Sequence, residues 1–294
     1  MRLYEVPHGT VVVGIDGSVH SRQAVDWAAG LARREHRPLV LVHSSDPFTF
    51  EQGGVWTGWG DWHELRRRAD SPHGEIMTAE LARTQATHPE LEVHPVEDYV
   101  DPRLALTELS THAYRVVVGS HGRGPVASAL LGSVSAAVAR DARCPTVVVR
   151  PDTARTGGVT RNGVTVVVDR SRPSPESMEL AFRHASTTGQ RVRVLLCRDD
   201  RDDLEDPSSP EQLRLELSEL CAGLGEKFPD VTVQPEVEHG PMEDVAVGAT
   251  VESDLTVIGR YPHHGRVGLA RGRFTTTVLE HARGPVVIVP ERKS

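Results

Sequence analysis

Short apolar runs recur along the chain, and longer stretches with helical spacing of apolar residues separate them. Runs such as Val11–Val13 and Val116–Val118 contain only valine. Strands that are buried on both faces of a parallel sheet have this composition. Between the runs, Arg22–Arg34 places small apolar residues on one side of a predicted helix. This alternation predicts a doubly wound α/β fold with right-handed crossovers.

The apolar runs predict five strands in each half of the chain. They lie near 10–15, 39–43, 92–97, 115–119 and 146–150, and then near 163–168, 192–197, 231–237, 254–259 and 286–290. The first strands of the halves match at an offset of 153 residues and the later strands at 140, so the first half carries a longer segment around 46–80. We therefore predict two tandem domains, 1–150 and 163–294, with a polar linker at 151–162.

Charge and cysteine content restrict the partners and the compartment. The chain has 33 basic and 41 acidic residues, a net charge of −8, and neither half has the basic excess typical of nucleic-acid binding. No apolar run approaches the roughly 18 residues of a membrane span. The three cysteines form no Cys-x-x-Cys motif, and the first residues lack the apolar core of a signal peptide. We expect a cytoplasmic protein without nucleic-acid or membrane partners.

A glycine pattern follows the valine run that ends at residue 118. It reads Gly119-x2-Gly122-x9-Gly132-Ser133. Glycine lets a backbone approach a ligand closely, because no Cβ intervenes. A helix beginning at Ser133 would offer unpaired amides and a partial positive charge. Together these features predict a phosphate site.

The spacing of this pattern resembles the ATP-binding signature of the universal stress proteins, the UspA-like family. Val11–Ser18 resembles the first strand and turn of that family, and Cys144–Val149 resembles its last strand. The resemblance covers nearly the whole chain, because it occurs twice. It implies two Rossmann-like domains, each with a five-stranded parallel sheet of order 3-2-1-4-5.

The resemblance also implies an ATP site in the first domain. Gly119 and Gly122 would let their loop wrap the phosphates, while Gly132 and Ser133 would present amides and a hydroxyl to the outer phosphates. Asp16 would contact the ribose or a phosphate-bound Mg²⁺. Taken singly, Asp16 or Ser133 has a simpler interpretation as a helix cap.

The resemblance implies a base contact as well. The family reads the adenine edge with the backbone just after the second strand, which is Ser44 in this chain.

The second repeat departs from the signature. Pro262 stands in place of the second loop glycine, and Arg273 stands in place of the hydroxyl residue. Asp169, Gly259 and Gly272 keep their places. Arginines near a helix start can hold an anion, but they can also fill the phosphate site with their own guanidinium groups. The second domain is therefore the weaker candidate for ATP.

Two prolines and the sequences of the fifth strands indicate which strands lie at the edges of the sheets. Pro95 and Pro235 fall inside the third strand of each repeat, which predicts edge positions because proline cannot donate to a ladder. The fifth strands, at Thr146–Val149 and Val286–Val289, are flat, apolar and uncharged, and such edges invite association. We expect the two fifth strands to pair with each other; the alternative is that a linker or helix covers each edge.

Three tryptophans, Trp56, Trp59 and Trp62, lie within seven residues of the first-domain insertion. They could form a lid over the nucleotide, or they could pack in an interface or on their own sheet.

Three classes of function remain open at the level of the sequence. The first is an ATP-binding regulatory protein of the stress response with an unknown protein partner, as a monomer or a homodimer. The second is an enzyme, a slow ATPase or an adenylyl transferase. The third is an assembly module that has lost its ligand. Asp16 is the one acid that the pattern places near the phosphates, and no positioned base accompanies it, so the first class is favoured.

Overall fold

A computed structural model of the protein describes residues 3–44, 62–122, 131–150, 163–169, 174–198, 209–260 and 274–291. The chain divides into two compact units, Met1–Val149 and Arg150–Ser294. The predicted linker at 151–162 lies outside the described residues, as do Trp56, Trp59 and the side chain of Trp62.

The first unit is a parallel sheet with helices between its strands. Its strands are β1 (Val11–Gly14), β2 (Leu39–Ser44), β3 (Val93–Asp98), β4 (Arg115–Gly119) and β5 (Thr146–Val149). Its helices are α1 (Val19–Arg34), α2 (Trp62–Thr87), α3 (Pro102–Leu109) and α4 (Ser133–Asp141). The strand order β3-β2-β1-β4-β5 confirms the predicted 3-2-1-4-5 arrangement.

The second unit repeats this topology. Its strands are β6 (Val164–Val168), β7 (Val192–Arg198), β8 (Val233–His239), β9 (Leu255–Arg260) and β10 (Val286–Pro290). Its helices are α5 (Pro175–Thr188), α6 (Pro210–Lys227), α7 (Met242–Glu252) and α8 (274–281). The strand order is β8-β7-β6-β9-β10. In each unit the order therefore changes direction beside the first strand, β1 or β6. The pairing of the two fifth strands with each other stays a prediction.

The core of each unit lies between the valine-rich strands and the helices that cover them. Val11–Val13 have no exposed surface, and Ala24 and Ala28 of α1 are equally buried. Serine caps start the first helix of both units: Ser18 accepts a hydrogen bond from the Ser21 amide at 3.1 Å, and Ser174 caps α5 in the same way. Such caps stabilise a helix start because they satisfy one of its orphan amides.

The prolines of the third strands lie at sheet edges, as predicted. Pro95 pairs with Leu41, and Pro235 occupies the matching position in β8. The Leu39 amide donates to the Glu92 carbonyl at 2.9 Å, so alternate residues starting from 92 turn their backbone groups towards β2. Pro95 falls on the other set and therefore turns its nitrogen away from the sheet.

Within the described ranges, no helix combines the length and the apolar character needed to cross a bilayer.

Candidate functional site

The candidate site of the first unit lies where the strand order reverses. β1 has β2 on one side and β4 on the other, so the connections leaving β1 and β4 pass to opposite faces of the sheet. A crevice forms outside the carboxyl ends of such strands, and ligands of open α/β sheets bind there. Asp16 follows β1, and the loop that begins at Gly119 follows β4.

The Asp16 carboxylate contacts the glycine loop across this crevice. A Cβ added to Gly122 would lie 2.6 Å from Asp16 Oδ2, too close for any side chain to fit without movement. Asp16 Oδ1 accepts a hydrogen bond from the Ser18 amide at 2.9 Å, which holds the carboxylate at the start of α1. Between them, Gly17 has a φ of +76°, a left-handed conformation that favours glycine.

Gly119 lets β4 approach the start of α1. A Cβ at this position would lie 2.8 Å from the carbonyl carbon and oxygen of His20. Because backbone atoms move less readily than a side-chain tip, a larger residue here would push α1 away from the sheet. The glycine thus brings the end of β4 and the first turn of α1 into direct contact.

The start of α4 is tied to the same loop. The Gly132 amide donates to the Ser120 carbonyl at 2.8 Å, and Ser135 Oγ donates to the Gly119 carbonyl at 2.6 Å. Gly132 is the N-cap and is extended, and no side chain caps the helix from that position. Ser133 lies at the first helical position. Amides of a first helical turn are suited to an anion.

Two imidazoles lie beside the glycine loop. The ring centroids of His20 and His121 lie 5.2 Å apart with an interplanar angle of 44°. His121 Nδ1 and Ser120 Oγ are 3.1 Å apart, within hydrogen-bond distance. No pattern in the sequence indicated His20, because only the fold brings α1 beside β4.

The end of β2 contributes two polar residues. Ser44 Oγ donates to the Val100 carbonyl at 2.5 Å, so its side chain holds the connection after β3. His43 is 6% exposed, and its Nδ1 lies 2.7 Å from the Ile15 carbonyl oxygen. Since a carbonyl only accepts, Nδ1 carries the proton. His43 stands out in a run that is otherwise apolar up to Ser44, and this was the signal that could have found it.

The second unit brings an aspartate and a glycine to the matching place, as the first unit does. Asp169 follows β6, and Gly259 lies in β9 opposite Val289. Pro262, Gly272 and Arg273 lie outside the described residues.

Cys197 of the second unit occupies the register position of Ser44, as the parallel pairings of β2 and β7 show. Burial raises the pKa of the Cys197 thiol to about 12, and the carboxylates of Glu238, Asp169 and Glu243 add to the rise. All three cysteines of the chain are free thiols, and Cys144 and Cys221 are buried.

In the part of the chain that the structure describes, no group of three or more histidine, cysteine or acidic side chains is arranged to hold a metal ion. Asp16 could therefore hold Mg²⁺ only if a bound phosphate and water supplied the remaining oxygen ligands. Mg²⁺ commonly binds beside phosphates in this way.

The chain belongs to the universal stress protein family. The Universal stress protein family pattern matches residues 8–150 and again 161–290. The universal stress protein Rv2005c of Mycobacterium tuberculosis is 31% identical over 288 residues, covering 96% of each chain. Rv2623, another universal stress protein of that organism, is 29% identical over 288 residues, covering 96% of each chain.

Among solved structures, the crystal structure of a universal stress protein from Archaeoglobus fulgidus matches with a TM-score of 0.68. It is 15% identical, and the match covers 98% of this chain and 100% of that one. At this identity the likeness concerns the fold alone.

Proposed function

We propose that the first unit binds ATP and that the chain is a nucleotide-binding regulatory protein of the universal stress response. The observation that supports this proposal is the approach of bare main chain to Asp16 at the point where the strand order reverses. A Cβ at Gly119 would overlap the His20 backbone, and a Cβ at Gly122 would overlap the Asp16 carboxylate, so a larger residue at either place would force its neighbour to move. Main chain without side chains, next to a helix start, is suited to a triphosphate.

In this proposal, different residues of the loop contact different phosphates of ATP. The backbone of Gly119 and Gly122 follows the inner phosphates. Ser133 offers its amide and hydroxyl to the outer phosphates at the first turn of α4. Gly132 contributes as the bare N-cap, because its own amide already donates to the Ser120 carbonyl. The hydrogen bond from the Gly132 amide to the Ser120 carbonyl fixes the helix start against the loop, so the two parts act on one ligand.

Asp16 would hold Mg²⁺ in company with the phosphates. The bound ion would supply positive charge against the phosphate oxygens. A single carboxylate is enough for this role, because Mg²⁺ takes its remaining ligands from phosphate and water. The hydrogen bond from the Ser18 amide holds Oδ1, which keeps the carboxylate turned to the crevice.

The second unit binds ATP weakly or not at all in this proposal, although Asp169, Gly259, Gly272 and Arg273 keep or replace the positions of a site. Pro262 removes an amide from the loop, and Arg273 can fill the phosphate site with its own guanidinium group.

Calorimetric titration of the full chain with ATP and Mg²⁺ tests the proposal. We expect one ATP per chain. The Gly122→Glu variant should bind at least about 100-fold more weakly, because a carboxylate then stands in the phosphate site next to Asp16.

Gly74→Glu is the matched control. Gly74 lies in α2 of the same unit, and a Cβ there would meet open space, so the same added charge should leave ATP binding unchanged. Absence of binding by the wild type, or equal binding by both variants, would refute the proposal. Mass spectrometry of nucleotides that co-purify with the chain would identify the natural ligand.

A further inference from the structure

The ladders between the first two strands of each unit differ in length by one residue pair. In the first unit, pairing of β1 with β2 ends at Gly14 and Val42. In the second unit, pairing of β6 with β7 continues to Val168 and Leu196, one position beyond the equivalent pair. The residues that fail to pair in the first unit are Ile15 and His43.

The parallel hydrogen-bond pattern identifies the bond that accounts for this difference. The Ile15 amide donates to the Val42 carbonyl at 2.8 Å, so the next bond of a regular ladder would run from the Ser44 amide to the Ile15 carbonyl. In the second unit, pairing of Val168 with Leu196 corresponds to this bond, with Cys197 as its donor. In the first unit, Nδ1 of His43 donates to the Ile15 carbonyl instead, at 2.7 Å.

We propose that His43 is a positioning residue that takes the Ile15 carbonyl and so keeps the Ser44 amide and carbonyl open to a 6-aminopurine base. Backbone groups of a strand alternate between its neighbours, so Ser44 turns its amide and carbonyl to the same side as Val42, towards β1. The family resemblance already implies that the Ser44 backbone reads the base, and the role of His43 is the new part. The proposal rests on the proposed function, because His43 acts on the base-reading part of the same site.

The chemistry of the two backbone groups selects the base. An amide donor beside a carbonyl acceptor complements the ring N1 acceptor and the amino donor of adenine. Guanine presents a donor and an acceptor in the opposite order, so it would meet like groups. The Ser44 side chain does not interfere, since its hydroxyl donates to the Val100 carbonyl. Leu196 has no polar atom to compete for the Val168 carbonyl, which explains why the second ladder closes.

Hydrogen exchange of the Ser44 amide, measured by NMR on the nucleotide-free full chain, tests the positioning role without any ligand. His43→Leu removes the competing donor, so we expect the ladder bond to form and exchange at Ser44 to slow at least about tenfold. His43→Asn retains a donor at the same distance from the main chain, and it should exchange like the wild type. Unchanged exchange in His43→Leu would overturn the proposal.

Titrations with ATP, GTP and inorganic tripolyphosphate test the base-reading consequence. His43→Leu should weaken ATP binding about tenfold, since roughly two hydrogen bonds to the base are lost. The preference of this variant for ATP over GTP should fall as well. Its affinity for tripolyphosphate should stay within about twofold of the wild type, because the glycine loop is unchanged. His43→Asn, which keeps a donor, should bind ATP as the wild type does.

These outcomes separate the two proposals. Equal losses for ATP and tripolyphosphate in His43→Leu, or no loss for either, would overturn the role of His43 while leaving ATP binding in place. A wild type that binds no ATP would refute the proposed function, and the exchange measurement would still decide whether His43 holds the ladder open.

Discussion

The carboxyl ends of β2 and β7 lie at matching places in the two units but carry different chemistry. In the first unit, His43 and Ser44 hold the connections after β1 and β3 by hydrogen bonds. In the second unit, Leu196 closes the ladder, and the Cys197 thiol stays protonated because of burial and nearby carboxylates. A shared scaffold of valine-rich strands thus tolerates replacement of both polar residues at the end of the second strand, while the aspartate after the first strand is the same in the two units.

The largest expected difference between the units comes from the fourth strands. Gly119→Ala places a Cβ 2.8 Å from the His20 backbone, so we expect at least about 100-fold weaker ATP binding and about 2 kcal/mol lower free energy of unfolding. Gly259→Ala in β9 should leave ATP binding unchanged. Calorimetry and urea unfolding measure both effects.

Gly74→Ala is the control for the backbone, since its Cβ meets open space in α2. It should raise stability by up to about 1 kcal/mol. Full ATP binding by Gly119→Ala would show that the end of β4 needs no glycine for its ligand.

The second-largest expected difference between the units is in the response of ATP binding to substitution of Asp16 or Asp169. Asp16→Asn removes the charge that would hold Mg²⁺, so binding of ATP with Mg²⁺ should weaken about tenfold, while binding without Mg²⁺ should be equal or tighter because the repulsion is gone. The amide oxygen of asparagine can still accept from Ser18. Asp169→Asn should change neither titration by more than about twofold. An equal response to the two substitutions would remove the asymmetry between the units.

The raised pKa of Cys197 should destabilise the second unit in alkaline solution. The thiol ionises in the unfolded chain near its ordinary pKa of 9.0, but in the folded chain the pKa is about 12, so unfolding is favoured as the pH rises between these values. From pH 9 to about 10.5 the expected loss is about 1.5 kcal/mol.

Urea unfolding of the wild type and of Cys197→Ala at several pH values measures this loss. The difference between the two proteins isolates the thiol from other groups that titrate in the same range. Parallel pH curves for the two proteins would show that this thiol is not protected. Ser44, at the matching position, has no titration in this range, so Ser44→Ala serves as the control.

The smallest expected effect, on the free energy of unfolding, comes from the helix caps and should be the same in both units. Ser18→Ala and Ser174→Ala each remove a cap from the first helix and should lower the free energy of unfolding by about 1 kcal/mol. A much larger loss for Ser18→Ala would mean that the turn around Asp16 depends on the cap, which thermal unfolding of the two variants would reveal.

Most of the fold could be predicted from the sequence, because valine runs are buried on both faces and few other elements have this pattern. The helix after the glycine loop begins at Ser133, as predicted, but its N-cap is Gly132, so the interpretation of Ser133 as the cap is wrong. Boundaries shifted slightly: the strand predicted at 231–237 runs from Val233 to His239. Its polar, alternating sequence provides a weak signal at an edge.

The site could be predicted only in part. The glycine spacing located the loop, and the structure brings Gly119, Gly122 and Gly132 together with Asp16 and the first turn of α1. The ligand roles of these residues stay predictions. The sequence did not indicate His20 or His43 as site residues, because their partners depend on which strands become neighbours. His43, for example, contacts a carbonyl 28 residues away along the chain.

The prolines of the outer strands also affect self-association. A further chain adding to β3 would need a continuous row of donors, and Pro95 interrupts that row in the middle of the strand. Glu97 and Asp98 of β3, like Glu236 and Glu238 of β8, add like charges that repel an identical strand. Fibre growth by templated addition is therefore disfavoured at these edges even when many copies of the protein accumulate.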